Sequence, residues 1–231
     1  MILLPAARGT AADFDAIAGP LRGLGYRPVA VEPRGHGDSG AGPWTWPAVL
    51  GDLADVVAEL GLDRPAVIGH GLGGLIAALW GGQHPECPLV VSIDGYGNPT
   101  RPEQLVGLEV PPDALAEFSA FLGRAVAALP TPLAEALKAV EALDVVALYH
   151  SVCCPTVALI SRDSDLADVL PTELGLVWLA YLDWIRARLA ELERELPNFS
   201  VLATRGSNDA YLSHPEQLAG LLAAVLPTPG P

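Results

Sequence analysis

Short apolar runs alternate along this chain with segments whose apolar residues recur every three or four positions, and that alternation constrains the fold more than any other feature. Residues 2–4, 28–31, 66–68, 89–93, 156–160 and 199–203 are short, mostly apolar runs of strand length, the pattern of buried strands. Between them, 12–24, 46–60, 72–84 and 215–226 carry helical spacing; Val49, Leu53, Val56, Val57 and Leu60, for instance, share one helix face. Pro and Gly mark the joints, as at Gly19-Pro20, Pro33, Gly35, Gly37, Pro65 and Gly95. Strand followed by helix, repeated, predicts an α/β fold: a mostly parallel, doubly wound sheet of about six strands with helices on both faces.

Two stretches depart from the alternation. Residues 100–150 show helical patterns and no strand, punctuated by Pro111, Pro112, Pro130 and Pro132. They are expected to form a small helical cap inserted into a core made of 1–99 and 151–231. Residues 171–196 place Leu174, Val177, Trp178, Tyr181, Leu182, Ile185, Leu189 and Leu192 on one face over about five turns, with Glu191, Glu193 and Glu195 outside. This reads as a long helix covering the sheet, with the alternative that Trp178, Tyr181 and Trp184 line a pocket or a subunit contact.

Composition narrows the partners. With 231 residues, 51% of them hydrophobic and 17% charged, the chain suits one ordinary domain with a substantial core. Thirteen Lys and Arg against 27 Asp and Glu give a net charge of −14, which disfavours nucleic acid and anionic membrane surfaces. Met1-Ile2-Leu3-Leu4-Pro5 is too short for a signal-peptide core, and no run has the length of a membrane span. Cys87, Cys153 and Cys154 make no disulfide framework or CxxC pair, so a cytoplasmic setting and ordinary packing thiols are expected. No His, Cys and carboxylate spacing suggests a metal, and Gly69–Gly74 precedes no Lys-Ser/Thr, so neither a metal nor another cofactor is expected.

The most specific local signal is Val67-Ile68-Gly69-His70-Gly71-Leu72-Gly73-Gly74-Leu75. A buried strand enters a sharp turn and leaves as a helix, the shape of the G-x-S-x-G corner that presents a nucleophilic serine. Here the middle position is Gly71. Glycine accepts the unusual backbone conformation at low cost, so the bend survives without the nucleophile. The first N–H groups of the helix, Leu72 and Gly73, are expected to face the mouth of the turn and to suit an oxygen carrying negative charge.

With three further segments, the chain resembles an α/β-hydrolase-fold protein. Glu32-Pro33-Arg34-Gly35-His36-Gly37-Asp38-Ser39 resembles the family's D-x-R-G-H-G-x-S turn, and Ser161-Arg162-Asp163-Ser164-Asp165 follows a strand where the family places its acid, with Asp165 in that slot. Gly206-Ser207-Asn208-Asp209, leading to His214-Pro215-Glu216, resembles the family's G-x-G-H loop and final P-E helix, with Asn208 in the histidine slot. No counterpart of the family's first hairpin is read, and the chain opens on a central strand. The resemblance implies a Ser-His-Asp triad, of which only Asp165 remains. The His-Gly pair expected after the first core strand reads Pro5-Ala6, which leaves the Ala7 N–H as the second oxyanion donor. A single engineered change at Gly71 would not also account for Asn208 and Pro5, so the departures read as a natural change of role.

Other residues near the expected site have a structural and a chemical reading. His70 flanks the turn, where a packed histidine is usual; Arg34 and His36 more often brace their loop; Asp38 is a capping carboxylate by default. Asp94 ends a strand in Ile93-Asp94-Gly95-Tyr96-Gly97-Asn98, and Tyr96 beside it is a hydrogen-bond donor for a ligand. His214 reads as a surface residue. Phe118, Phe121 and Tyr149 of the cap, with Trp44 and Trp46, suggest an apolar ligand, and Arg8 a partner for a carboxylate.

Three functions follow. The first is non-covalent chemistry (cyclisation, elimination or carbon–carbon lysis) on a small apolar carbonyl compound. Ala7 and Leu72 would hold the oxyanion above Gly71, and Asp94 or Asp165, with His70, Asn208 and Tyr96 nearby, would handle protons. The second is an inert ligand-binding descendant of a hydrolase; the third is a serine esterase in nucleophile-lacking form. A homodimer is left open.

Overall fold

The computed structural model describes residues 1–162, 165–204 and 214–228. Its strands are β1 Ile2–Leu4, β2 Val29–Ala30, β3 Val67–His70, β4 Val90–Ile93, β5 Thr156–Ser161 and β6 Phe199–Thr204. All pair in parallel, in the order β2-β1-β3-β4-β5-β6. The first connection runs from β1 outward to β2, and the next returns past β1 to β3. The sheet therefore changes winding direction between β1 and β3, and the crevice beyond the carboxyl ends of those two strands is where such sheets hold ligands.

Helices α1 Asp15–Gly23, α2 Trp46–Glu59 and α3 Leu72–Gln83 make the first crossovers. A 3-10 turn, Pro102–Gln104, and helices α4 Ala114–Ala127, α5 Thr131–Glu141 and α6 Val145–His150 stand between β4 and β5, in the stretch that shows no strand pattern. Beyond β5 come α7 Asp165–Val169, the long α8 Thr172–Glu195 and, after β6, α9 Pro215–Val225. Thr45 starts α2 by accepting the Ala48 N–H at 3.3 Å, and Asp144 does the same for α6 from Ala147 at 3.0 Å. Glycine 71, at the start of α3, offers no such cap.

Strand alternation sorts the core into two layers. Ile2, Leu4, Val67, Val90 and Ile160 face α2, α3, α8 and the helices α4 to α6. Leu3, Ile68, Val91, Ile93 and Leu159 face α1 and α9. The long helix buries the expected stripe from Leu174 to Leu192 against the first layer. Of the face expected along α2 only Val49 and Leu53 are buried, with Leu50 beside them; Leu60 is exposed. The reason lies in the neighbouring strand: β2 is the sheet edge, and a cavity of about 670 Å³ runs between it and α2. Of the residues read as near the site, Arg34 lines that cavity, and Gly71, Leu72, Ala7, His70, Asp94 and Tyr96 do not. Among the described residues, no helix is long and apolar enough to cross a membrane.

Candidate active site

The turn after β3 is as sharp as its sequence requires. Gly71 has φ +52° and ψ −113°, its N–H donates to the Ile93 carbonyl at 2.8 Å, and its own carbonyl accepts the Leu75 N–H at 3.2 Å. The surrounding glycines are there for space. A Cβ on Gly69 would overlap the Gly73 carbonyl, and one on Gly73 the Leu4 carbonyl; one on Gly74 would stand 2.6 Å from the Ser92 hydroxyl. At Gly71 the nearest atom to an added Cβ is that of Ala6, at 3.4 Å. A side chain has room at this corner, and the sequence supplies none.

The segment after β1 lies against the same corner, with the Ala6 Cα 3.8 Å from where a Gly71 Cβ would be. One expectation is corrected here. The Gly73 N–H does not face the mouth, because it donates to the Pro5 carbonyl at 3.1 Å and so fastens α3 to the end of β1. The Leu72 and Ala7 N–H groups donate to no backbone carbonyl among the described residues. His70 is the buried last residue of β3.

A second polar corner follows β4. Asp94 is 6% exposed and adopts φ +46°, a conformation unfavourable to side-chain-bearing residues. Its carboxylate accepts the Ser161 N–H at 2.8 Å and the Ser161 hydroxyl at 2.5 Å, with the Tyr96 hydroxyl close by. Arg186 of α8 reaches the same place, donating to the carbonyls of Ser161 at 3.2 Å and Arg162 at 2.9 Å. Burial raises the Asp94 pKa above the usual carboxylate range, against the opposing pull of Ser161, Tyr96 and the Arg186 charge. Burial and the neighbouring Asp94 push the Tyr96 hydroxyl up as well. Tyr96 is the less buried of the two. Ser161 had no signal beyond its place at a strand end; the β4–β5 register reveals its role.

The aromatic residues expected to line a pocket divide. Tyr149 is 1% exposed, and its hydroxyl donates to the Gly95 carbonyl at 2.6 Å while accepting from Ser92 at 2.7 Å, so it ties α6 to the loop that carries Asp94 and Tyr96. Phe118 is fully buried, its ring parallel to that of Trp178 at 6.4 Å. Trp44 is also buried, and its backbone N–H donates to the Glu135 carboxylate of α5 at 3.0 Å. These three are packing residues, whereas Phe121 and Trp46 stay partly open. Arg34 braces its loop, with two contacts of 2.7 Å to Asp52 and others to the carbonyls of Pro43 and Ala48; His36 is buried with Nδ1 3.1 Å from the Arg34 carbonyl. Arg8 and His214 are exposed. Asp165 opens α7, and its side chain lies outside the described residues, as does Asn208. Among the described residues no three His, Cys, Asp or Glu are grouped so as to hold a metal.

A parallel sheet reversing at β1 and β3, with a strand–glycine–helix corner at the reversal, defines an α/β-hydrolase scaffold. The chain belongs to the Alpha/beta hydrolase family, whose model matches residues 1–221. In three dimensions it is similar to E-2-(acetamidomethylene)succinate hydrolase, with a TM-score of 0.64 and 19% identity over 97% of this chain and 90% of that one. It is also similar to an extracellular α/β-hydrolase from a Paenibacillus species, with a TM-score of 0.60 and 17% identity over 96% and 97% of the two chains. At these identities the likeness is one of fold. Epoxide hydrolase 3 of Siraitia grosvenorii is 39% identical over 61 residues, which are 25% of this chain and only 19% of that protein.

Proposed function

We propose that this protein uses a hydrolase scaffold for chemistry that needs no covalent nucleophile. A small apolar carbonyl compound would lie above Gly71 under the helices between β4 and β5, which act as a cap. As it becomes an enolate or alkoxide, its oxygen would take the Leu72 and Ala7 N–H groups, each such donor contributing roughly 3 kcal/mol to the transition state. The Asp94–Tyr96 pair would move the proton, the less buried Tyr96 meeting the substrate and Asp94 behind it, with Asp165, His70 and Asn208 as further candidates. The observation that carries this reading is Gly71 itself: the bend of a nucleophile corner, space for a side chain, and no side chain. Catalysis is favoured over inert binding by Asp94, a buried carboxyl of raised pKa held in a strained conformation beside that corner.

Two measurements test it. Exchange of α-protons into D₂O, followed by NMR on a panel of ketones such as cyclohexanone and acetophenone, should be accelerated by the wild-type chain and lost in Asp94→Asn. A ligand-binding protein would accelerate none of them. Gly71→Ser should release no burst of p-nitrophenol from p-nitrophenyl esters; strong esterase activity in that variant would show that a working base already serves the corner and would overturn the proposal.

A further inference from the structure

The cavity of about 670 Å³ between β2 and α2 stands apart from the Gly71 corner, and the chemistry proposed there leaves it unused. It exists because β2 is only two residues long and pairs on one side alone, so the sheet does not close over the end of α2. Its walls are aliphatic: Val29 and Val31 from the strand side, Leu53 and Val56 from the helix, and the buried Leu4 and Ile76. Among the described residues that line it there is no aromatic ring. Its charge is one-sided. Glu32, Asp52 and Glu59 line it against a single cation, Arg34, whose guanidinium is committed to Asp52 by two contacts of 2.7 Å. Glu32 is engaged as well, accepting the Ala11 and Asp38 N–H groups at 2.8 Å each. Glu59 is exposed and, among the described residues, makes no ion pair. It ends α2, whose last turn holds no basic residue, so its charge adds to the partial negative charge of the helix C-terminus.

We propose that this cavity is a binding site for an aliphatic cation, a primary alkylamine whose chain lies between β2 and α2 and whose ammonium meets Glu59. Three observations select that class. The volume falls within the range of small-molecule sites, roughly 300–1,000 Å³. Walls of Leu, Val and Ile offer apolar area but no ring to stack against, which suits a flexible chain better than a flat aromatic body. A carboxylate without a cation at the negative end of a helix attracts an ammonium and repels the carboxylate of a fatty acid. The other occupants of an open sheet edge fit less well. An extended peptide would find few backbone groups to pair with, because β2 has two residues and Pro28 before it has no N–H. A second copy of the chain would bring its own net charge of −14 against an acidic rim.

The probe is decylamine, titrated below its micellar concentration into the full-length chain at low salt and followed by isothermal titration calorimetry. One molecule should bind per chain. Shorter alkylamines should bind more weakly by about fourfold for each methylene removed, and decanoate should bind roughly tenfold more weakly than decylamine or not at all. Glu59→Lys should weaken decylamine roughly tenfold. Glu216→Lys makes the same change of net charge at an exposed position of α9, on the other face of the sheet, and should leave the affinity unchanged. Val56→Trp, which fills the cavity from α2, should abolish binding. Should that variant fail to fold, methyl NMR of the wild-type chain decides in its place: shifts on titration confined to Val29, Val31, Val56 and their neighbours support the site. Absence of binding, equal affinity for decylamine and decanoate, equal losses in Glu59→Lys and Glu216→Lys, shifts centred elsewhere, or tighter binding of an alternating valine–lysine peptide overturns it.

Discussion

The corners after β3 and β4 each turn on a residue of positive φ, and they have opposite side-chain economies. Gly71 turns at φ +52° and Asp94 at φ +46°. For glycine that conformation is ordinary; for aspartate it costs about 1–2 kcal/mol. At Gly71 a side chain would fit against Ala6 and none is present, so the corner offers backbone N–H groups alone. At Asp94 the side chain is present, buried and held by Ser161 beside Tyr96, so the strain is offset by hydrogen bonds that only a carboxylate placed there can accept. Strain without a side chain is cheap, and strain with one persists where the side chain is anchored. The difference teaches that the polar investment of this scaffold has moved one strand along the sheet.

The largest effect that would sharpen this contrast is expected at Gly73. In Gly73→Ala the new methyl would overlap the Leu4 carbonyl and sit 2.7 Å from that of Pro5, forcing α3 off the end of β1. A loss of on the order of 4 kcal/mol in urea denaturation, or no soluble protein, is the expected outcome. A mild effect would mean that α3 can slide and that the corner is less constrained than its glycines indicate.

Why was so much of the frame legible in sequence, and so little of the second corner? Buried parallel strands need continuous apolar runs and their helices need a repeating stripe, so residues such as Ile2, Val67 and Val90 announce themselves locally. The elbow was legible because four glycines and a strand–helix junction occupy nine consecutive residues. Ser161, Arg186 and Tyr149 were not, since each acts across 24 or more positions, on partners set by strand register and helix docking. Tyr149 carries an aromatic ring, which suggested a ligand contact; its hydroxyl, tied to Ser92 and Gly95, shows a structural brace. The Gly73 N–H was misread for the same reason, because its acceptor, Pro5, lies far back in the chain.

The next effect in size comes from Asp94→Asn. The amide keeps the shape and tolerates positive φ, but one oxygen becomes an NH₂ facing a Ser161 donor, for an expected loss of roughly 2–3 kcal/mol. The pH dependence gives a finer reading. Because the Asp94 pKa is raised in the folded state, folding favours the protonated form; that stability is fully present below the ordinary carboxylate pKa and is lost as pH rises through the higher folded value. Chemical denaturation of wild type and Asp94→Asn between pH 4 and 8 should therefore show a gap that narrows with rising pH. A gap that widens would mean that Ser161, Tyr96 and Arg186 outweigh burial and hold the carboxyl ionised.

The smallest change in stability, and the most informative for function, is expected from Gly71→Ala. Its methyl meets only the Ala6 Cβ at 3.4 Å, so the cost is conformational, about 1–2 kcal/mol, well below that of Gly73→Ala. The same methyl projects into the space where the oxygen of a ligand would approach the Leu72 N–H. Substituted phenolates, whose oxygen mimics an enolate, should bind the wild-type chain and lose roughly tenfold or more in affinity on this substitution by isothermal titration, with stability nearly kept. Equal phenolate binding by both proteins would locate the oxyanion donors elsewhere, and the two corners would then differ in strain without differing in what they can hold.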